Sequence, residues 1–171
     1  PQTQRRTMTR AVLKANSSQA DLDRSLIAAA EDNLPADVRH YLALGASPDA
    51  TSGGSTALGR AVATVCAMYA TNPCFLCAQI LLDSKADING AENVAEDIWI
   101  TPGTLRMTPL MAACYYGHEA AVRFLLKEGA SAQPPIQDET VGNPVTALMC
   151  SCHAGRPACV RLLLEHCLLY T

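Results

Sequence analysis

Four segments of this chain repeat one arrangement of small and apolar residues, and that repetition constrains the fold more than any other feature of the sequence. The first is Leu26-Ile27-Ala28-Ala29-Ala30, then Val38, Tyr41-Leu42 and Gly45-Ala46. The second is Thr56-Ala57-Leu58-Gly59-Arg60-Ala61, then Leu81-Leu82 and Ala86-Asp87-Ile88-Asn89. The third is Thr108-Pro109-Leu110-Met111-Ala112-Ala113, Gly117-His118, Val122, Leu125-Leu126 and Gly129-Ala130. The fourth is Thr146-Ala147-Leu148, Gly155, Val160 and Leu163-Leu164. Repetition on this scale builds a stack in which each unit contacts its neighbours.

The third segment shows what one unit must be. Thr108 is suited to cap a helix start, and Pro109 fits the first turn, where a missing N–H costs nothing. Leu110, Ala113 and Cys114 stand at i, i+3 and i+4 and form one narrow apolar face. Gly117 suits a left-handed helix end. A second helix follows with Val122, Leu125 and Leu126 on one face, ended by Gly129. Neither helix can bury its face alone, so the pair is expected to stack on similar pairs, with small Ala residues allowing close approach.

Composition agrees with this reading. Apolar residues make up 49% of the 171-residue chain, yet only one Trp, five Tyr and two Phe are present. Ala and Leu dominate instead, which disfavours an all-β domain. Net charge is −3, and Arg5, Arg6, Arg10 and Lys14 form a basic leader without an acid, so the rest of the chain is the more acidic. An acidic body argues against nucleic acid as a partner. No apolar run is long enough for a membrane span, and no secretory signal follows the arginines. An intracellular, cytoplasmic or nuclear location is expected.

The repeated pattern resembles the ankyrin repeat, with the match most complete over residues 108–130. Residues 21–50 look like that family's N-terminal capping repeat, from Asp21-Leu22 through Gly45-Ala46 to Asp49-Ala50. The resemblance implies an all-α solenoid of stacked helix-turn-helix units with hairpin or loop fingers. It divides the chain into a mobile or partly helical leader, 1–20, and one array, 21–171, with units at 21–50, 51–89, 90–133 and 134–171. At the position after the unit's Leu, where the family carries a histidine, this chain has Ile27, Gly59, Met111 and Met149. Stacking is therefore expected to depend more on apolar contact.

The spacing departs from the family period of about 33 residues. Leu26 to Leu58 is 32 residues, Leu58 to Leu110 is 52, and Leu110 to Leu148 is 38. An insertion between the helices of unit two, Ala63 to Ala70, is helix-compatible, and Thr71-Asn72-Pro73 reads as a turn and helix restart, so a longer helix pair is expected there. Further insertions fall in the fingers at 90–107 and 134–145, the latter marked as irregular by Pro134-Pro135 and Gly142-Asn143-Pro144. At the C-terminus Cys167 and Leu168 replace the expected Gly and Ala. The apolar end is expected to dock back, to precede a further segment, or to meet a partner.

Eight cysteines invite other chemistry. Cys74 and Cys77 form a C-x-x-C, and Cys150 and Cys152 add soft ligands near His153, so a metal- or redox-responsive module using these four is an alternative. Zinc needs four such groups in a tetrahedron. Cys114 and Cys152 instead hold the small position four residues after the unit's Leu, and Cys77 and Cys159 hold equivalent places in second helices, where Cys acts as a small hydrophobe. His40 and His166 fall on second helices, and His118 and His153 line up with no nucleophile and third group, so no catalytic residues, no cofactor and no metal are assigned. Asn89 lies in a segment similar to that in which ankyrin asparagines are hydroxylated by an oxygen-dependent enzyme, and is equally suited to stabilise a turn.

The resemblance implies a non-enzymatic scaffold or adaptor that holds a protein partner on its concave face and fingers. An ankyrin-type inhibitor that docks on an enzyme is the alternative of the same fold. The helix positions concerned are Tyr115 and Tyr116 in unit three, and His153 and Ala154 in unit four. Two adjacent tyrosines cannot both enter one core, so at least one is expected to face outward. Ile98-Trp99-Ile100, behind the acidic Glu92, Glu96 and Asp97, either folds back onto the tyrosines as a satellite cluster or forms a second candidate anchor. The acids point to a partner with a basic or mixed patch. A monomer is expected, with contacts through the apolar C-terminus.

Overall fold

The computed structural model describes residues 18–67, 74–94, 105–132 and 145–169. Ser18 opens the first helix by accepting a hydrogen bond on its hydroxyl from the Asp21 N–H at 3.3 Å, so α1 spans Gln19–Glu31 and begins two residues before the expected start of the array at 21. α2 follows at Pro35–Ala43, with Pro35 in its first turn. The helix pairs continue as α3, Ala57–Ala67, and α4, Leu76–Asp83. Then come α5, Pro109–Tyr116, with α6, Glu119–Lys127, and α7, Ala147–His153, with α8, Pro157–Leu169.

The threonines do what their spacing implies. The Thr56, Thr108 and Thr146 hydroxyls accept from the N–H groups of Gly59, Met111 and Met149 at 3.1, 3.2 and 3.3 Å. Each satisfies an amide that the helix start leaves without a partner. The recurring Gly-Ala pair has an equally local cause. Gly45 and Gly129 take positive φ, +95° and +92°, and the next amides, of Ala46 and Ala130, reach back to the carbonyls of Tyr41 and Leu125 at 3.0 and 2.9 Å. Those alanines are buried against the helix they close, the arrangement of a Schellman end. Lys85, at φ +70°, makes the same turn without a glycine.

First helices stack in the order α1, α3, α5, α7; among second helices α2 packs on α4, and α6 on α8. Between α4 and α6 the joint is aromatic: Phe75 and Phe124 stack with ring centroids 4.5 Å apart and planes 6° from parallel. Gln79 Nε2 also donates to Glu128 Oε2 there, at 3.4 Å. The shared core runs through Leu26, Leu58, Leu110, Val38, Leu81, Val122, Leu125 and Leu163.

Two fingers are antiparallel hairpins. β1, Thr51–Ser52, pairs with β2, Ser55–Thr56, through Thr51↔Thr56 and Ser52↔Ser55. Gly53 and Gly54 both have positive φ, as this two-residue turn demands. β3, Glu92–Val94, pairs with β4, Leu105–Met107, through Glu92↔Met107, Asn93↔Arg106 and Val94↔Leu105. The two described ends of the finger at 90–107 are therefore paired strands, and residues 95–104 lie outside the described residues.

The fingers are tied to one another at their roots. The Ser47 N–H donates to Asp23 Oδ1 at 2.8 Å, the Asp87 N–H to Asp49 Oδ1 at 2.6 Å, and the Ser131 N–H to Asn89 Oδ1 at 2.9 Å. Asp49 and Asn89 hold equivalent places, so one carboxylate and one amide pass the same bond from unit to unit.

One expectation is corrected and one is only partly covered. In unit two the described part of α3 ends at Ala67 and α4 starts at Leu76; residues 68–73, which hold the rest of the expected insertion and its turn, lie outside the described residues. In unit four Leu148 and Cys152 repeat the register of Leu110 and Cys114 but are exposed, while Ala147, Cys150 and Ser151 are buried. Burial in a stacked array requires a neighbour on both sides, and among the described residues no helix lies beyond α7 and α8. α8 runs through Cys167 to Leu169, and Tyr170 and Thr171 lie outside the described residues.

Candidate functional site

The last turn of α5 forms the centre of the face carried by the first helices. Gly117 ends that helix with φ +82° and ψ +27°, and the His118 amide returns to the Ala113 carbonyl at 2.9 Å. This tight end leaves Tyr115 and Tyr116 side by side, their rings perpendicular with centroids 5.4 Å apart. Tyr115 is half-buried and packs against the core, whereas Tyr116 is the outward member. The Tyr116 ring also lies 6.2 Å from that of His118.

Arg156 completes the cluster from the next unit. It follows Gly155 as His118 follows Gly117, and its Nε donates to the Tyr115 carbonyl at 3.2 Å. Its aliphatic stem lies over Gly117, where an added Cβ would stand 2.7 Å from Cδ. The missing side chain of the glycine is therefore what lets the arginine settle on the end of α5. Burial, followed by the positive charge of Arg156, holds the His118 imidazole below the usual histidine range. Among the described residues the hydrogen bond of Arg156 is made through Nε, and the planar fork of a guanidinium suits a carboxylate. Glu119 is the nearby acid: it and Arg156 both act on Cys159.

Of the other residues singled out by sequence, His153 is exposed at the end of α7, the position equivalent to Tyr115 one unit on. Ile98, Trp99 and Ile100 lie outside the described residues, as do Glu96 and Asp97; Glu92 begins β3. Asn89 is engaged in the bond to Ser131. Arg156, Phe75 and Phe124 were missed. For Arg156 the signal was present in its place after Gly155, where the family carries histidine; for the phenylalanines it was not, because they belong to different units.

The cysteines are arranged as side chains of a core. Cys66, Cys77, Cys114, Cys150 and Cys159 are buried, and Cys74, Cys152 and Cys167 are exposed. Burial pushes the Cys66 thiol up to about 12 and the Cys77 and Cys150 thiols up to about 11, and raises Cys114 and Cys159 as well. A thiol held in its neutral form is a poor nucleophile and a poor metal ligand. Cys74 and Cys77 sit at the start of α4, and Cys150 and Cys152 on α7, with unit three between them. Among the described residues no group of three or more His, Cys, Asp or Glu is placed to hold a metal ion. No helix of these residues is long and apolar enough to cross a membrane.

The chain matches the family profile described as Ankyrin repeats (3 copies) over residues 26–138 and again over residues 67–169. No curated protein matches it.

Proposed function

Because the chain belongs to the ankyrin repeat family, whose repeats generally mediate protein–protein interactions, we propose that it is a non-enzymatic scaffold or adaptor that grips a protein partner on the face of its first helices and fingers. The observation that carries this reading is the Tyr115–Tyr116–His118–Arg156 cluster, where the exposed Tyr116 ring meets those of Tyr115 and His118 and Arg156 is bonded to the Tyr115 carbonyl. Tyrosine and arginine are the residue types that most often dominate interfaces, because they bury large or strongly bonding surface with little disorder to lose. His153 extends the face by one unit. Trp99, with Ile98 and Ile100, is the anchor proposed for the long finger.

The partner surface is of mixed charge. Arg156 calls for a carboxylate on the partner, while Glu92, Glu96 and Asp97 of the finger call for basic residues. An intracellular site of action accompanies this reading. The test is an affinity capture that compares the wild type with a Trp99→Ala/Tyr115→Ala/Tyr116→Ala variant, after circular dichroism has established that the variant is folded. Proteins retained by the wild type are expected to be lost from the variant. Equal capture by both would remove this face from consideration.

A further inference from the structure

Cys74, His118 and Arg156 hold one register position, each seven residues before the first Leu of its unit's leucine pair, Leu81, Leu125 and Leu163. Cys77 shares its position with Ala121 and Cys159, four residues before the same Leu. In unit four these two positions are close enough for the charge of Arg156 to act on the Cys159 thiol. In unit two they hold two thiols, and ionised Cys74 acts on Cys77. The backbone between them is one tight turn: Phe75, at φ −87° and ψ 23°, caps α4, and Leu76 is its first helical residue. The Gln79 N–H donates to the Phe75 carbonyl at 2.8 Å and begins the helical ladder. α-Carbons three residues apart across a helical turn stand roughly 5 Å apart, inside the span that a disulfide bridges. Cys74 is exposed, whereas Cys77 is 1% exposed. Cys150 and Cys152, the other two cysteines close in sequence, stand two apart on α7, so their side chains diverge by about 160°.

We infer that Cys74 and Cys77 are a redox site, an exposed thiol and its buried resolving thiol, which form a reversible intramolecular disulfide that sets the start of α4 and with it the Phe75–Phe124 joint. The oxidant is a low-molecular-weight disulfide of the glutathione type. The Cys74 thiolate attacks one of its sulfurs, which gives a mixed disulfide and releases one thiol. Cys77 then gives its proton to solvent and attacks the Cys74 sulfur, which closes the Cys74–Cys77 bond and expels the second thiol. Two protein thiols are oxidised and one disulfide is reduced to two thiols, so atoms and electrons balance. Burial divides the labour: the reagent meets Cys74 first, and Cys77 is reached through its neighbour. The same burial, and after it the Cys74 charge, pushes the Cys77 thiol up to about 11, so ring closure is the slower step. Capping Cys74 as a mixed disulfide removes that charge before Cys77 must ionise. The closed ring contains Phe75, whose side chain stacks on Phe124 with centroids 4.5 Å apart, so the bond fixes the residue that joins unit two to unit three.

The experiment equilibrates the reduced full chain in mixtures of oxidised and reduced glutathione, quenches with acid, alkylates the free thiols under denaturing conditions and weighs the peptides. In the wild type the peptide holding Cys74 and Cys77 is expected to lose two hydrogens and carry neither alkyl group nor glutathione as the mixture becomes more oxidising. Cys77→Ala places there the residue that Ala121 supplies in unit three, where it is 1% exposed, so the helix is expected to fold. That variant is expected to hold on the order of tenfold more glutathione on Cys74, since no second thiol stands by to displace it. Cys74→Ser is expected to leave Cys77 reduced throughout. Hydrogen exchange at the Gln79 amide is expected to be slower in the oxidised wild type than in the reduced one. A wild type that accumulates glutathione on Cys74 as Cys77→Ala does, or keeps both thiols free in every mixture, overturns the inference. Oxidation of Cys77 in the Cys74→Ser chain overturns the order of attack, and equal exchange at Gln79 in the two forms overturns the link to the joint.

Discussion

Arg156 Nε lies 3.2 Å from the carbonyl oxygen of Tyr115 and donates a hydrogen bond to it. The contact joins unit four to the end of α5, and it exists because Gly117 leaves room for the arginine stem. It also places a cation at the end of the helix that carries the Tyr115–Tyr116 pair, so one side chain both ties two repeats and shapes the face.

Arg156→Ala is expected to destabilise the array by about 1 kcal/mol in urea titrations, the ordinary worth of a solvent-accessible hydrogen bond to the backbone plus some lost packing. Gly117→Ala is expected to cost about 1–2 kcal/mol, since an L residue resists positive φ. Its new Cβ must also displace Arg156, so the double variant should lose less than the two single losses together. Strict additivity would mean that the arginine does not rest on the glycine.

His118 should bind its proton at lower pH than a free histidine, for the reasons of burial and the Arg156 charge. The unfolded chain takes up that proton near the ordinary value of 6.5. The stability contributed by neutral His118 is therefore present above that value and is lost as pH falls through it toward the folded pKa. A proton NMR titration of the imidazole reads this directly. Arg156→Ala should move the midpoint upward.

Cys74, Cys152 and Cys167 should react with a thiol reagent at neutral pH in the native protein, and all eight cysteines only after denaturation. Alkali should reveal the buried ones differently. Their folded pKa values are raised, so their contribution to stability is intact below the ordinary value of 9.0 and disappears as pH rises toward about 11 to 12. Each such thiol steepens the loss by about 1.4 kcal/mol per pH unit within that window. A urea midpoint that is flat from pH 9 upward would contradict this.

Asn89→Ala removes the acceptor for the Ser131 amide, and Asp49→Ala the acceptor for the Asp87 amide. Each should cost about 0.5–1 kcal/mol, because the freed amides are exposed and can turn to water. Hydrogen exchange should quicken at Ser131 in the first variant and at Asp87 in the second. Faster exchange spread evenly over the chain would point instead to a general loss of stability.

The sequence by itself determined the repeating parts of this protein. Thr108 as a cap, Gly117 as a left-handed end, Leu110 and Cys114 as buried neighbours, and the Gly129-Ala130 closure follow from interactions within about five residues, and such interactions leave a mark at fixed spacing. The matching of one unit to the next was legible for the same reason. Two contacts between units have no such fixed spacing. The stacking of Phe75 on Phe124 and the seating of Arg156 over Gly117 join residues whose separation depends on insertions, so only the assembled chain brings them together. The exposure of Leu148 and Cys152 was also decided by tertiary structure. Their spacing is that of a core, yet a side chain is buried only when something packs against it, and that depends on where a unit stands in the stack.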